Sequence, residues 1–140
     1  MGKKDELSQD ELDKLANEAA DEAQDEALEF SLYKDRDDGA VRVVVLEGKV
    51  LAIQPTEFAS RAKELLLNDP PPLIVLDMED CAYLCSFALA TLVDVHRELV
   101  ERDCRLRLVT EDSRVCFLLR SVGGEILPDV FTTLEEALAV

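Results

Sequence analysis

Histidine is nearly missing from this 140-residue sequence: His96 stands alone, so there is no second imidazole with which it could share a metal ion. It falls in the series Leu89, Leu92, Val93, His96, Leu99, Val100, the apolar face of a helix, where packing at the edge of a core is its expected role. Basic residues are scarce as well. Fifteen Lys and Arg stand against thirty-one Asp and Glu, a net charge of −16, and such a chain repels phosphate backbones and anionic bilayer surfaces. Neither nucleic acid nor membrane insertion is expected. No apolar run reaches the roughly eighteen residues of a spanning helix, and the charged, acidic start is unlike a secretory signal, so a cytoplasmic location is expected. The four cysteines, Cys81, Cys85, Cys104 and Cys116, include no C-x-x-C pair and lie in or beside apolar segments, as reduced thiols do. Nothing in these patterns calls for a cofactor. Enzymatic chemistry is not expected either, because His96 lies nearly three helical turns, about 15 Å, from the nearest candidate nucleophiles, Cys85 and Ser86.

The composition of what is present changes once along the chain. Residues 1–28 hold ten acidic and three basic residues and no proline after a single early glycine, carrying −7 of the total −16 and leaving −9 to residues 29–140. The first part reads as an acidic helical extension, the second as one α/β domain. Within the second part, LEFSLYKD (Leu28 to Asp35) and VRVVVLEG (Val41 to Gly48) flank Asp37-Asp38-Gly39, a hairpin turn signal. PTEFASRAKELLLND places Phe58, Ala62, Leu65 and Leu66 at helical spacing behind a proline, and Asn68 to Pro72 ends that helix. PLIVLDM has the length and continuity of a buried strand, RLRLVT alternates as a strand does, and a helix-length segment separates them. SRVCFLLRSV adds a short helix, ILPDVF a last strand, and TTLEEALA a closing helix with Thr132 and Glu135 at capping-box spacing. Alternation of strand and helix predicts a mixed, mainly parallel sheet with helices packed against it.

The stretch LDMEDCAYLCSFALATLV, Leu76 to Val93, runs from the end of the buried strand into the apolar face of the helix, with Cys85-Ser86 at the joint. Two roles are open to Ser86. As an N-cap its hydroxyl would accept from the unpaired N–H groups of the first turn, worth about 1 kcal/mol. As a phosphorylation site it would gain about −1.5 to −2 charges at the positive end of the helix dipole, altering binding more than folding. Phe87, at the first helical position, is a partner anchor if exposed and core if turned inward.

The series VVVLEGKV, PLIVLDMEDCAYLCSFALATLVDVHREL, LRLVT and VFTTLEEALA resembles the STAS domain family of bacterial anti-sigma factor antagonists, over roughly residues 29–140. In that family a strand ending in Leu-Asp leads through a short loop into Asp-Ser-Ser-Gly-Leu-Gly at a helix start. The matching residues are Leu76-Asp77 and Cys85-Ser86-Phe87-Ala88-Leu89-Ala90. The resemblance implies a non-catalytic signalling protein that docks on a serine kinase or anti-sigma factor through Cys85, Ser86 and Phe87, and that releases its partner when Ser86 is phosphorylated. Cys85 replaces the family's acid, Phe87 its second serine, and Ala88 and Ala90 its glycines; the earlier Gly-x-Leu-Asp element reads Gly48-Lys49-Val50-Leu51. Ala-Leu-Ala at this place also resembles the STAS subunits of lipid-transport ATPases, an alternative reading.

The extension carries its own pattern. In LSQDELDKL (Leu7 to Leu15), Ser8 and Glu11 have capping-box spacing and Leu7 and Leu12 that of a hydrophobic staple. The stretch resembles the N-terminal peptide of flagellar motor switch proteins, which binds the phosphorylated chemotaxis response regulator. That resemblance implies an adaptor contacting such a regulator through Leu7, Leu12 and Leu15. A solvated, self-capped helix is the alternative.

Overall fold

The structure, a computed structural model, describes residues 29–53, 55–122 and 126–139. The extension, with Leu7, Leu12 and Leu15, lies outside the described residues. The elements run β1 (Phe30–Asp37), β2 (Val41–Val50), α1 (Pro55–Leu67), β3 (Leu73–Asp77), β4 (Cys81–Leu84), α2 (Ser86–Glu101), β5 (Arg105–Val109), α3 (Ser113–Val122), β6 (Asp129–Phe131) and α4 (Leu134–Leu138).

β1 and β2 form the expected antiparallel hairpin. Asp38 closes it by accepting from the N–H groups of Ala40 (3.0 Å) and Val41 (2.9 Å), while Gly39 takes φ +86°. The Val41 N–H foremost, with Arg36 and the Ala40 N–H, holds the Asp38 carboxyl at about 2. The remaining strands run parallel to β2, in the spatial order β1-β2-β3-β5-β6.

Period-two alternation divides the sheet into two faces. On one face Val44, Leu46, Ile74, Leu76, Leu106 and Leu108 pack with side chains of α1, α2 and α3, among them the fully buried Phe58, Leu66, Leu89 and Leu92. Each such side chain contributes about 1.5–3 kcal/mol on leaving water. On the other face Val43, Val75 and Val109 pack with Ala137 of α4. Arg107 fastens that short helix by donating from Nη1 to the carbonyls of Ala137 (2.8 Å) and Ala139 (3.0 Å). The cap of α4 falls one residue later than expected: Thr133 accepts from the Glu136 N–H (3.1 Å), and Glu136 reaches back to Thr132.

At the end of the sheet away from Ser86, the buried Arg42 donates from Nη1 to the Leu65 carbonyl (3.0 Å) and from Nη2 to that of Asp69 (2.8 Å). Two carbonyls around the end of α1 are thereby satisfied. Its Nε lies 3.2 Å from Asp37 Oδ2, an ion pair without hydrogen-bond alignment.

One strand was not visible in the sequence. Cys81–Leu84 reads as loop but forms β4, which pairs parallel with β2 over Gly48–Val50, past the point where β3 has left it at Val45. The junction needs Gly48. Its N–H donates to the Asp80 carbonyl (3.1 Å), its φ is +94°, and a Cβ there would collide with the Glu29 carbonyl.

Gly48→Ala should therefore cost about 3 kcal/mol or more, adding a backbone collision to the positive-φ penalty. Gly39→Ala, which meets open space, should cost only about 1–2 kcal/mol. Urea denaturation of the two variants measures the gap; equal losses would show that the Glu29 approach is not a constraint.

Candidate functional site

β4 delivers the chain to the helix start. The Cys85 N–H donates to the Val50 carbonyl (3.0 Å), which keeps Cys85 extended at φ −71° and ψ 159°. The switch from extended to helical backbone consequently falls at Cys85, and its Sγ accepts from the Ala88 N–H at 3.4 Å. This corrects the N-cap expected at Ser86: the cap is a cysteine, and Ser86 is the first residue inside α2. Cys85 is only 3% exposed and belongs to the core. It positions the site rather than offering contact area to a partner.

Ser86 and Phe87 are both exposed, Phe87 at 59%, so the phenyl ring is not core. Beside Ser86 a cavity of about 420 Å³ opens between β4 and α3, lined chiefly by Tyr83, Leu84, Ser86, Arg114, Phe117 and Leu118. Phe117 is 68% exposed. The Arg114 guanidinium lies 5.6 Å from the Tyr83 ring centroid and grips Asp112 in a two-point contact, Nε to Oδ1 at 3.1 Å and Nη2 to Oδ2 at 2.7 Å. Arg114 holds the Asp112 carboxyl below the usual carboxylate range. Tyr83, Arg114 and Phe117 did not stand out in the sequence. A signal existed for Phe117: Val115, Leu118 and Leu119 set the inward stripe of α3 by their spacing of three and four, and Phe117 falls off it.

Acidic groups crowd the turn between β3 and β4. Asp77, which ends β3 in the expected Leu-Asp pair, accepts from the Glu79 N–H (3.0 Å). The Glu79 carboxyl is pushed up, mostly by the Asp77 charge, then by partial desolvation and by its bond to Asp77, with Asp80 and Glu111 adding to it. Cys81, beside that turn, donates from Sγ to the Tyr83 carbonyl (3.4 Å), and burial pushes its thiol up to about 11.

His96 is buried on α2, apart from this surface in role. Its Nδ1 accepts from the Leu106 N–H (3.2 Å) on β5, at the residue before β6 begins to pair. The imidazole thus supplies an acceptor to a strand N–H, which requires neutral Nδ1. Burial foremost, with Arg105 nearby, pushes its pKa down. Among the described residues no group of three or more His, Cys, Asp or Glu side chains could hold a metal ion, and no helix is long and apolar enough to cross a membrane.

A mixed sheet flanked by helices carries a serine in the first turn of the helix that follows β4. The chain belongs to the STAS domain family, whose model matches residues 33–137. The fold is similar to that of an anti-sigma factor antagonist from Mycobacterium paratuberculosis, with a TM-score of 0.61 at 19% identity over 78% of this chain and 91% of that one. It is similar to the anti-sigma factor antagonist SpoIIAA in its unphosphorylated form (TM-score 0.58, 14% identity, 76% and 92% of the chains). A substituted RsbS from Moorella thermoacetica gives 0.60 at 16% identity, over 76% and 91%. At these identities the likeness is one of fold. Comparison with curated protein sequences gives no match.

The histidine yields a test with a definite sign. The unfolded imidazole titrates near the ordinary 6.5 and the folded one below it. Its contribution to stability is complete above 6.5 and is lost as pH falls from there through the folded value. In His96→Asn, Oδ1 replaces Nδ1 as acceptor without a titrating ring. Melting temperatures between pH 7 and 5 should fall more steeply for the wild type than for this variant; parallel curves would contradict the neutral-acceptor role.

Proposed function

We propose that this STAS domain is a non-catalytic regulatory protein of the anti-sigma factor antagonist type. It docks on a serine kinase or anti-sigma partner through Ser86, Phe87, Tyr83 and Phe117, and phosphorylation of Ser86 releases it. One observation carries this reading. Ser86 is exposed in the first turn of α2 beside an apolar cavity, while Cys85 supplies the capping acceptor, so the serine hydroxyl is spared for chemistry with a partner. Two exposed phenyl groups and a tyrosine near one serine fit the aromatic anchors that dominate protein interfaces. The structural neighbours named as anti-sigma factor antagonists support the same reading.

Ser86→Asp should weaken partner binding at least tenfold, about 1.4 kcal/mol, and move the melting temperature little, since an acid in a first turn suits the helix dipole. Phe87→Ala and Phe117→Ala should each weaken binding with little loss of stability. The measurement is affinity for serine kinases of the anti-sigma type from the same genome, paired with mass spectrometry of Ser86 after incubation with ATP. Unchanged affinity in all three variants would remove the docking surface from this face.

A second reading is favoured by where the extension leaves the domain. The Lys49 N–H donates to the Glu29 carbonyl (2.7 Å), so residue 29 sits at the end of β2 that pairs with β4, the end that also presents Ser86. With the motif at Leu7, Leu12 and Leu15, this supports an adaptor that brings a phosphorylated response regulator close to the docking face. The full chain should bind such a regulator more tightly when it is phosphorylated, and Leu12→Ala combined with Leu15→Ala should abolish binding. Titration calorimetry decides: no binding by the wild type, or full binding by the double variant, would overturn the adaptor role.

A further inference from the structure

We propose that Arg114 is the binding partner of phosphorylated Ser86, a clamp that holds the phosphate across the cavity between β4 and α3. The inference rests on Ser86 being the phosphorylated residue of the docking face. Phosphorylation forms a bond from Ser86 Oγ to the terminal phosphorus of ATP, breaks the bond from that phosphorus to the bridging oxygen, releases ADP and passes the hydroxyl proton to the kinase's base. The product is a near-dianion whose surroundings decide whether it is tolerated.

The cavity lining is mostly apolar, with one carboxylate and one guanidinium. Asp112 lines the same cavity, Glu111 precedes it, and the chain as a whole carries −16. Among the described residues Arg114 is the one cation lining the cavity that Ser86 lines. It is also held in place before any phosphate arrives. Its backbone N–H donates to Asp112 Oδ1 (2.9 Å), its side chain grips the same carboxylate at two points, and the Tyr83 ring lies against the guanidinium. Little side-chain freedom therefore remains to be lost on binding. Asp112 engages the Nε and Nη2 donors. A guanidinium has five N–H groups, so the two on Nη1 can serve a second anion while Asp112 keeps its edge.

Cys85 contributes by what it is not. Directly before the serine this chain has a buried thiol that accepts an N–H. No carboxylate adjoins the phosphate from that side. A phosphate bound to Arg114 would occupy the cavity that Tyr83 and Phe117 also line, so release of a partner would follow from filling the groove as well as from charge.

The test needs no partner. Phosphoserine is installed at position 86 during translation, and the second ionisation of the phosphate is followed by phosphorus NMR in the wild type, Arg114→Gln, Arg114→Lys and Asp112→Asn. Arg114→Gln should raise that pKa by about half a unit or more. Arg114→Lys should give a smaller rise, because charge is kept and the planar fork is lost. Asp112→Asn should lower it below the wild-type value by removing the competing carboxylate. Equal values in the wild type and Arg114→Gln overturn the clamp, provided the unphosphorylated variant melts as the wild type does, as an exposed side chain should allow. Unchanged partner affinity on phosphorylation with the pKa shifts intact would instead overturn the docking reading and leave the clamp standing.

Discussion

The face that presents Ser86 depends on a backbone junction at Gly48. β2 is long enough to serve two parallel neighbours on one side, β3 over its first half and β4 over its last residues. Between them the chain loops out through Met78 and returns, and the return is fixed by the Gly48 N–H on the Asp80 carbonyl and the Cys85 N–H on the Val50 carbonyl. The first residue described ahead of β1 passes so close that no side chain fits at position 48. Without this convergence β4 would be a loop, and the extended backbone that makes Cys85 a cap would have no support. The position of Ser86 follows from that cap.

The two ends of the sheet solve opposite problems. At one end Arg42 is buried with its guanidinium committed to two carbonyls and the Asp37 carboxylate, the kind of charge that is costly to leave without partners. That end is closed. At the other, Phe87 and Phe117 stay in solvent although nearly half of all residues are apolar and a large core is available. The two most exposed aromatic side chains among the described residues thus stand at the end that carries Ser86, and the nearby turn adds the acidic groups of Asp77, Glu79 and Asp80.

Most of the fold was legible because its elements have one period each. PLIVLDM, RLRLVT and the helix through Leu89, Leu92 and Leu99 repeat at two or at three to four over enough residues to be unambiguous. The hairpin was legible in Asp-Asp-Gly because an Asx acceptor and a positive φ are both local demands. β4 was not, because four residues with one buried side chain, Leu84, show no period; its existence is a property of the end of β2, far back in the sequence. The cap was misplaced for a related reason. Serine outranks cysteine as an N-cap when only local chemistry is considered, but the tertiary bond to Val50 decides which residue is extended. Ser86 was legible at the joint of strand and helix, whereas Arg114 is joined to it only by the packing of α3, at a sequence distance no pattern spans.

The outer strands of the sheet bear on how this protein can associate. β1 has a register break between Lys34 and Arg36 and carries four consecutive charges from Lys34 to Asp37, while β6 at the opposite border is three residues long. An incoming strand finds a twisted, charged border on one side and a border too short to template on the other. Backbone-mediated growth of the sheet into fibrils or strand-swapped dimers is therefore disfavoured by the same domain that leaves phenyl rings in water. The borders of the sheet thus leave side chains, rather than ladders of main-chain bonds, as what this domain can offer to another molecule.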